Sequence, residues 1–96
     1  MLHLIFQSPI DTAILERIES GDDVVFLENS VLRILQKGSL SDTLTQLLKR
    51  NHLCVLAEDI ELRGIVADEL VGGIEVIDYA GLVALTVKNT VIQTWS

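Results

Sequence analysis

Cys54 is the one cysteine in the chain, and with His3 or His52 beside it to stabilise a thiolate it could act as a sulfur nucleophile. Its setting favours a different reading, because Cys54 stands inside the apolar run Leu53-Cys54-Val55-Leu56, where a cysteine packs as a small hydrophobe shielded from substrate. His3 could reach it if the first and third strands were neighbours, as a doubly wound strand order expects, but a histidine in mid-strand is more often a satisfied core residue. A second possible chemistry uses carboxylates. Glu58, Asp59 and Asp78 fall where strands end and could hold a hard cation or accept a phosphoryl group, as in a receiver-like domain. Such a site also wants acids after the first strand, and the loop there reads Phe6-Gln7-Ser8-Pro9, so these acids read as solvated loop residues and helix caps. Gly72-Gly73 lacks G-x-G-x-x-G spacing and precedes a strand, which makes it a turn and not a phosphate cradle. Lys49, Arg50 and His52 form the nearest thing to a basic patch and read as the solvated C-terminus of a helix. Trp95 is either an edge packing residue or an interface anchor. The residues themselves nominate no catalytic, cofactor-binding or metal-ligating set, and no cofactor.

The elements that must position these residues alternate strand with helix. Leu2 to Phe6 is a near-continuous apolar run suited to a strand buried on both faces, and Asp11 can cap a helix through about Glu19 in which Ile10, Ile14, Leu15 and Ile18 share a face. Gly21 ends that helix, Val24 to Leu27 reads as the second strand, and Glu28-Asn29-Ser30 turns into a short apolar helix around Val31 to Gln36. After Gly38, Ser39 or Ser41 can cap a helix striped by Leu40, Leu44, Leu47 and Leu48 and ending at Asn51. Leu53 to Ala57 is the third strand, Glu58 to Arg63 a short helix stopped by Gly64, and Ile74 to Ile77 the fourth strand. Asp78 begins a helix to about Asn89, and Val91 to Trp95 alternates apolar with polar residues as a short edge strand does. Parallel strands need crossovers, so this order predicts an α/β fold: a small doubly wound parallel sheet of about five strands with helices on both faces, in one domain spanning 1–96. Sites in such sheets lie at the carboxyl ends of strands, here Gln7 to Pro9, Glu28 to Ser30, Ala57 to Asp59 and Asp78-Tyr79.

Composition narrows the function. Fourteen acids against seven Lys and Arg give a formal charge of −7, which repels a phosphate backbone and argues against direct nucleic-acid binding. A spanning helix needs about 20 largely apolar residues, whereas the longest uncharged runs are Met1 to Ile10 and Tyr79 to Val87, so no membrane segment is expected. The apolar start lacks a basic n-region and a small-residue cleavage site, and a lone cysteine fits a reducing compartment, so a cytoplasmic location is expected. A mean hydropathy of +0.44 is high for a domain with so little interior volume. The surplus points to a partner surface, with the Val31 to Leu35 segment and the Tyr79 to Val87 helix as candidates.

Met1-Leu2-His3 with Ser8-Pro9, the Gly21-Asp22 turn, Leu56 with Glu58-Asp59, Arg63-Gly64, Ile77-Asp78-Tyr79, Leu85-Thr86-Val87-Lys88 and Trp95 run in an order and spacing that span nearly all 96 residues. Together they resemble the DsrH-like family of sulfur-relay subunits, within the DsrE/DsrF/DsrH-like fold group. The resemblance implies a non-catalytic structural subunit of a heterohexameric sulfurtransferase complex, a dimer of heterotrimers with TusC-like and TusD-like subunits. That complex relays persulfide sulfur from TusA to TusE for 2-thiolation of the tRNA wobble uridine by MnmA. A relay passes sulfur by thiolate attack on a persulfide. The resemblance places the reactive cysteine in the TusD-type partner; the corresponding stretch here, Leu56-Ala57-Glu58-Asp59, has none. DsrH proteins of sulfur oxidisers can carry a cysteine in the first helix, and Asp11 to Glu19 has none either, with Ile14 near that place. Alternatives are a sulfur carrier that uses Cys54 directly and a subunit of a sulfur-oxidation complex.

Overall fold

Short β-branched and aliphatic runs become strands where both faces are covered, and the computed structural model, which describes residues 1–96, places five of them in one sheet. The elements follow as β1 (Leu2–Ile5), α1 (Thr12–Glu16), β2 (Asp23–Phe26), a 3-10 helix (Glu28–Arg33), α2 (Ser41–Leu48), β3 (His52–Leu56), α3 (Ala57–Leu62), a 3-10 turn (Ala67–Glu69), β4 (Glu75–Ile77), α4 (Tyr79–Lys88) and β5 (Ile92–Trp95). Every pairing is parallel, and the order is β4-β3-β2-β1-β5. The α/β sheet with helices on both faces is as expected, and β5 is an edge strand. The neighbour of β1 is not. β2 separates β1 from β3, because each of the first three crossovers steps one strand in the same direction.

Right-handed crossovers that step one way all fall on the same face of the sheet, and the one that runs back, from β4 across to β5, falls on the other. The buried side chains divide accordingly. Strand residues Ile5, Val24, Phe26, Leu53 and Val55 join α1, α2, α3 and the Glu28–Arg33 helix in a cluster of 17 buried residues, while Leu2, Val25, Leu27, Cys54 and Leu56 join Leu85 of α4 in a cluster of only six. One face is thick, and the other is covered by α4 alone.

Local signals account for most boundaries. Asp11 caps α1 by accepting the Ala13 amide at 2.9 Å, and Asp78 caps α4 by accepting the Gly81 amide at 2.8 Å. α1 is shorter than its periodicity predicts, because the Glu19 amide is taken at 3.0 Å by the Asp22 carboxylate instead of continuing the helix. The helix expected from Val31 is a 3-10 turn that begins at Glu28, tight against the end of β2, and α2 starts after Leu40 with no capping bond from Ser39 or Ser41. Gly73 has φ +103°, and a Cβ there would meet Leu48 Cδ1 at 3.1 Å, so both conformation and space demand glycine in the turn before β4.

Ser30, fully buried, fastens the carboxyl ends of β1 and β2: its hydroxyl accepts the Leu27 amide at 3.1 Å and lies 2.6 Å from the Ile5 carbonyl and 2.8 Å from that of Leu27. The Leu27 amide also bonds the Ile5 carbonyl at 3.0 Å, which softens the loss of the hydroxyl. Ser30→Ala is therefore expected to lower the unfolding free energy by about 1 kcal/mol, at the low end for an unpaired buried group, read as a lower urea midpoint at unchanged m-value.

Candidate functional site

Side chains alternate across a strand, so His52 and Cys54 point to the same face of β3, the face that α4 covers. Register brings two acids to them. Asp23 at the start of β2 pairs with His52, and Glu75 at the start of β4 pairs with Cys54. His52 Nε2 lies 2.5 Å from Glu75 Oε2 and 3.3 Å from Cys54 Sγ, Cys54 Sγ lies 3.9 Å from Glu75 Oε2, and His52 Nδ1 lies 3.2 Å from Asp23 Oδ1. The end of α4 completes the group, with Lys88 Nζ at 3.2 Å and Asn89 Nδ2 at 3.0 Å from Asp23 Oδ2. Burial opposes the Asp23 charge, but the bonds from Asn89, Lys88 and His52 outweigh it and hold the carboxyl below the ordinary range. Cys54 moves the other way. Its burial, and then the negative charges of Glu75 and Asp23, push the thiol up to about 12.

His3 lies on the opposite face and does not approach Cys54. It is 2% exposed in the core beneath β5, where Trp95 Nε1 donates to His3 Nδ1 at 3.2 Å and the ring stacks at 6.3 Å between centroids. A donor on Nδ1 leaves the ring proton on Nε2, which is 2.8 Å from Asp22 Oδ2. Burial opposes the Asp22 charge, but His3 and the Glu19 amide overcome it and hold that carboxyl below the ordinary range. Trp95 is thus an edge packing residue, with the Arg17 guanidinium 5.6 Å over its ring.

The carboxyl ends of the strands hold a latch. Asp59 Oδ2 accepts the Glu28 amide at 2.8 Å, and Arg63 reaches the Asp59 carbonyl and the Asn29 side chain, each at 2.9 Å. Asp78 is occupied as a helix cap, and the group of three potential ligands that the fold assembles is His52, Cys54 and Glu75, with Glu58, Asp59 and Asp78 outside it. His52 has left the basic patch with Lys49 and Arg50, since it opens β3 instead of ending a helix. Glu75 and Asp23 are the polar residues that sequence reasoning passed over. Their signal was a polar residue at the first position of three successive strands, Asp23, His52 and Glu75, each followed by an apolar run.

Three comparisons place the chain. Residues 6–92 match the family model described as DsrH like protein. Protein TusB of Erwinia tasmaniensis is 35% identical over 99 residues, Protein TusB of Cronobacter sakazakii 33% over 98, and Protein TusB of Buchnera aphidicola subsp. Baizongia pistaciae 32% over 99, each match covering 99% of this chain and 100% of the relative. A solved structure of a protein of unknown function from Methanobacterium thermoautotrophicum superposes with a TM-score of 0.77 at 15% identity, covering 97% of this chain and 95% of that one, a likeness of fold.

A buried thiol with so little thiolate is a poor nucleophile. Alkylation of native Cys54 by iodoacetamide at pH 8 is expected to run at least about a thousandfold slower than in the urea-denatured chain, whose thiol titrates near the ordinary value of roughly 8.5. Comparable rates in the two states would show that the thiol is open and ionised.

Proposed function

The chain belongs to the DsrH-like family, and from that membership we propose that it is a non-catalytic structural subunit of a cytoplasmic sulfurtransferase complex that relays persulfide sulfur from TusA to TusE for 2-thiolation of the tRNA wobble uridine. Its partners in the reading are TusC-like and TusD-like subunits, in a dimer of heterotrimers, with the reactive cysteine in the TusD-like chain. The observation that carries it is the state of Cys54. Persulfide transfer needs a thiolate that can reach its donor, and the chain's single thiol is fully buried and held protonated by its surroundings.

A subunit without chemistry of its own earns its place by contact, and α4 supports that role. Leu82 and Leu85 face the sheet, while Tyr79, Val83 and Val87, spaced four apart along the outer side, are 58%, 58% and 81% exposed. A permanent complex buries apolar stripes of this kind. The other segment that the sequence offered, Val31 to Leu35, supplies little. Val31 and Ile34 are fully buried in the thick-face core, Leu35 packs against it, and of its apolar residues Leu32 alone is exposed. No helix is long and apolar enough to cross a membrane.

Cells whose only copy carries Cys54→Ser are expected to keep wild-type levels of 2-thiouridine at the wobble position, measured by mass spectrometry of tRNA nucleosides. Loss of the modification while the complex still assembles would mean that Cys54 itself carries sulfur. A deletion strain with normal tRNA thiolation but defective sulfur oxidation would assign the subunit to that other pathway.

A further inference from the structure

His52, Cys54 and Glu75 share a geometry that a structural subunit has no evident use for. Their donor atoms, Nε2, Sγ and Oε2, all lie within 4.8 Å of one another. A tetrahedral zinc ion, with Zn–S near 2.3 Å and Zn–N and Zn–O near 2.0 to 2.2 Å, spaces such donors by about 3.3 to 3.6 Å. The nitrogen–sulfur and sulfur–oxygen separations, 3.3 and 3.9 Å, are already within a few tenths of an ångström of that spacing. Only the nitrogen–oxygen pair, at 2.5 Å, has to open, and the Glu75 side chain, 58% exposed, can swing away while Asp23 holds the His52 ring.

The surroundings add a second, independent argument. Histidines that bind a metal through one ring nitrogen almost always give the other N–H to a carboxylate, a backbone carbonyl or water, which fixes the ring's orientation. His52 Nδ1 has that partner in Asp23 Oδ1 at 3.2 Å, and Asp23 is itself fixed by Lys88 and Asn89. Charge agrees as well. A divalent cation would neutralise a Cys54 thiolate and the Glu75 carboxylate, while Lys88 already balances Asp23. One sulfur, one imidazole and one carboxylate suit a borderline-soft ion and not magnesium or calcium.

We propose that His52, Cys54 and Glu75 form a Zn²⁺ site at the foot of the sheet, with Asp23 as a positioning residue and the fourth coordination place open to water or to a ligand from a partner. Binding replaces the Cys54 S–H bond with a sulfur–zinc bond and releases the proton to solvent, with no change of oxidation state. The ion ties β3 to β4 and occupies the Cys54 sulfur, which complements the proposed structural role without depending on it.

Cobalt(II) serves as the optical probe on the tag-free full-length chain. One equivalent is expected to give a near-ultraviolet sulfur-to-cobalt charge-transfer band with the visible absorption of a four-coordinate ion, and Zn²⁺ should bleach both. Cys54→Ala should abolish the charge-transfer band. Glu75→Gln, at an exposed position that leaves the fold intact, should weaken Zn²⁺ binding by at least about tenfold, and Asp23→Asn should weaken it by about 10- to 100-fold, the range for loss of an outer-sphere partner. The absence of a charge-transfer band in the unmodified chain, its persistence in Cys54→Ala, or undiminished Zn²⁺ affinity in both Glu75→Gln and His52→Ala would overturn the assignment.

Discussion

Handedness of the crossover is the constraint from which the rest of this molecule follows. A sheet ordered β4-β3-β2-β1-β5 makes three successive crossovers in one direction and one long return, so three connections pile on one face and a single helix guards the other. The consequence is an uneven sandwich, with 17 buried residues in the cluster on the thick side and six on the thin side. The thick side is a self-sufficient core. The thin side depends on α4, a helix of ten residues apolar on both its sheet-facing and outer sides. A helix hydrophobic all round is normally buried. The proposed partner subunit supplies the missing layer, and that also explains why so small a chain has a mean hydropathy of +0.44.

The same topology sets the chemistry of Cys54. The thin face leaves room at its foot for polar side chains, and the first residues of β2, β3 and β4 place two carboxylates and an imidazole around one sulfur. Burial, and then the negative charges of Glu75 and Asp23, keep the thiol protonated, which is the reverse of what a sulfur carrier needs. Asp23 is the joint of this region, since it ties β2 to His52 of β3 and to the last turn of α4 through Lys88 and Asn89. At the other edge, Trp95 and His3 do the equivalent work for β5, with Asp22 accepting the His3 ring proton.

Much of this was legible before any coordinates. Hydrophobic patterning marked all five strands, by alternation in the case of Val91 to Trp95, Asp11 and Asp78 announced their helices, and the confinement of Cys54 to Leu53-Cys54-Val55-Leu56 foretold its burial. What periodicity could not supply was strand order. With β1 imagined beside β3, His3 seemed a possible partner for Cys54, whereas the register gives that place to His52, Glu75 and Asp23. Glu75 and Asp23 went unread for the same reason: a polar residue at the start of a strand acquires a meaning only when its neighbour across the ladder is known. The early end of α1 had its cause in Asp22, a side chain beyond the helix that claims the Glu19 amide, and no propensity reports such competition.

The claim that α4 presents its outer stripe to a partner is open to one direct measurement. Glutamate and lysine are better helix formers than valine, and a Glu–Lys pair at i,i+4 with its lysine in the last turn suits the helix, so a Val83→Glu, Val87→Lys double variant places charge on the stripe without cost to the helix. Co-expressed with the TusC-like and TusD-like chains and weighed by native mass spectrometry, the variant is predicted to keep its circular dichroism spectrum and to fail to enter the complex. A heterohexamer of unchanged mass and yield would contradict the account, because the thin face would then have no need of cover.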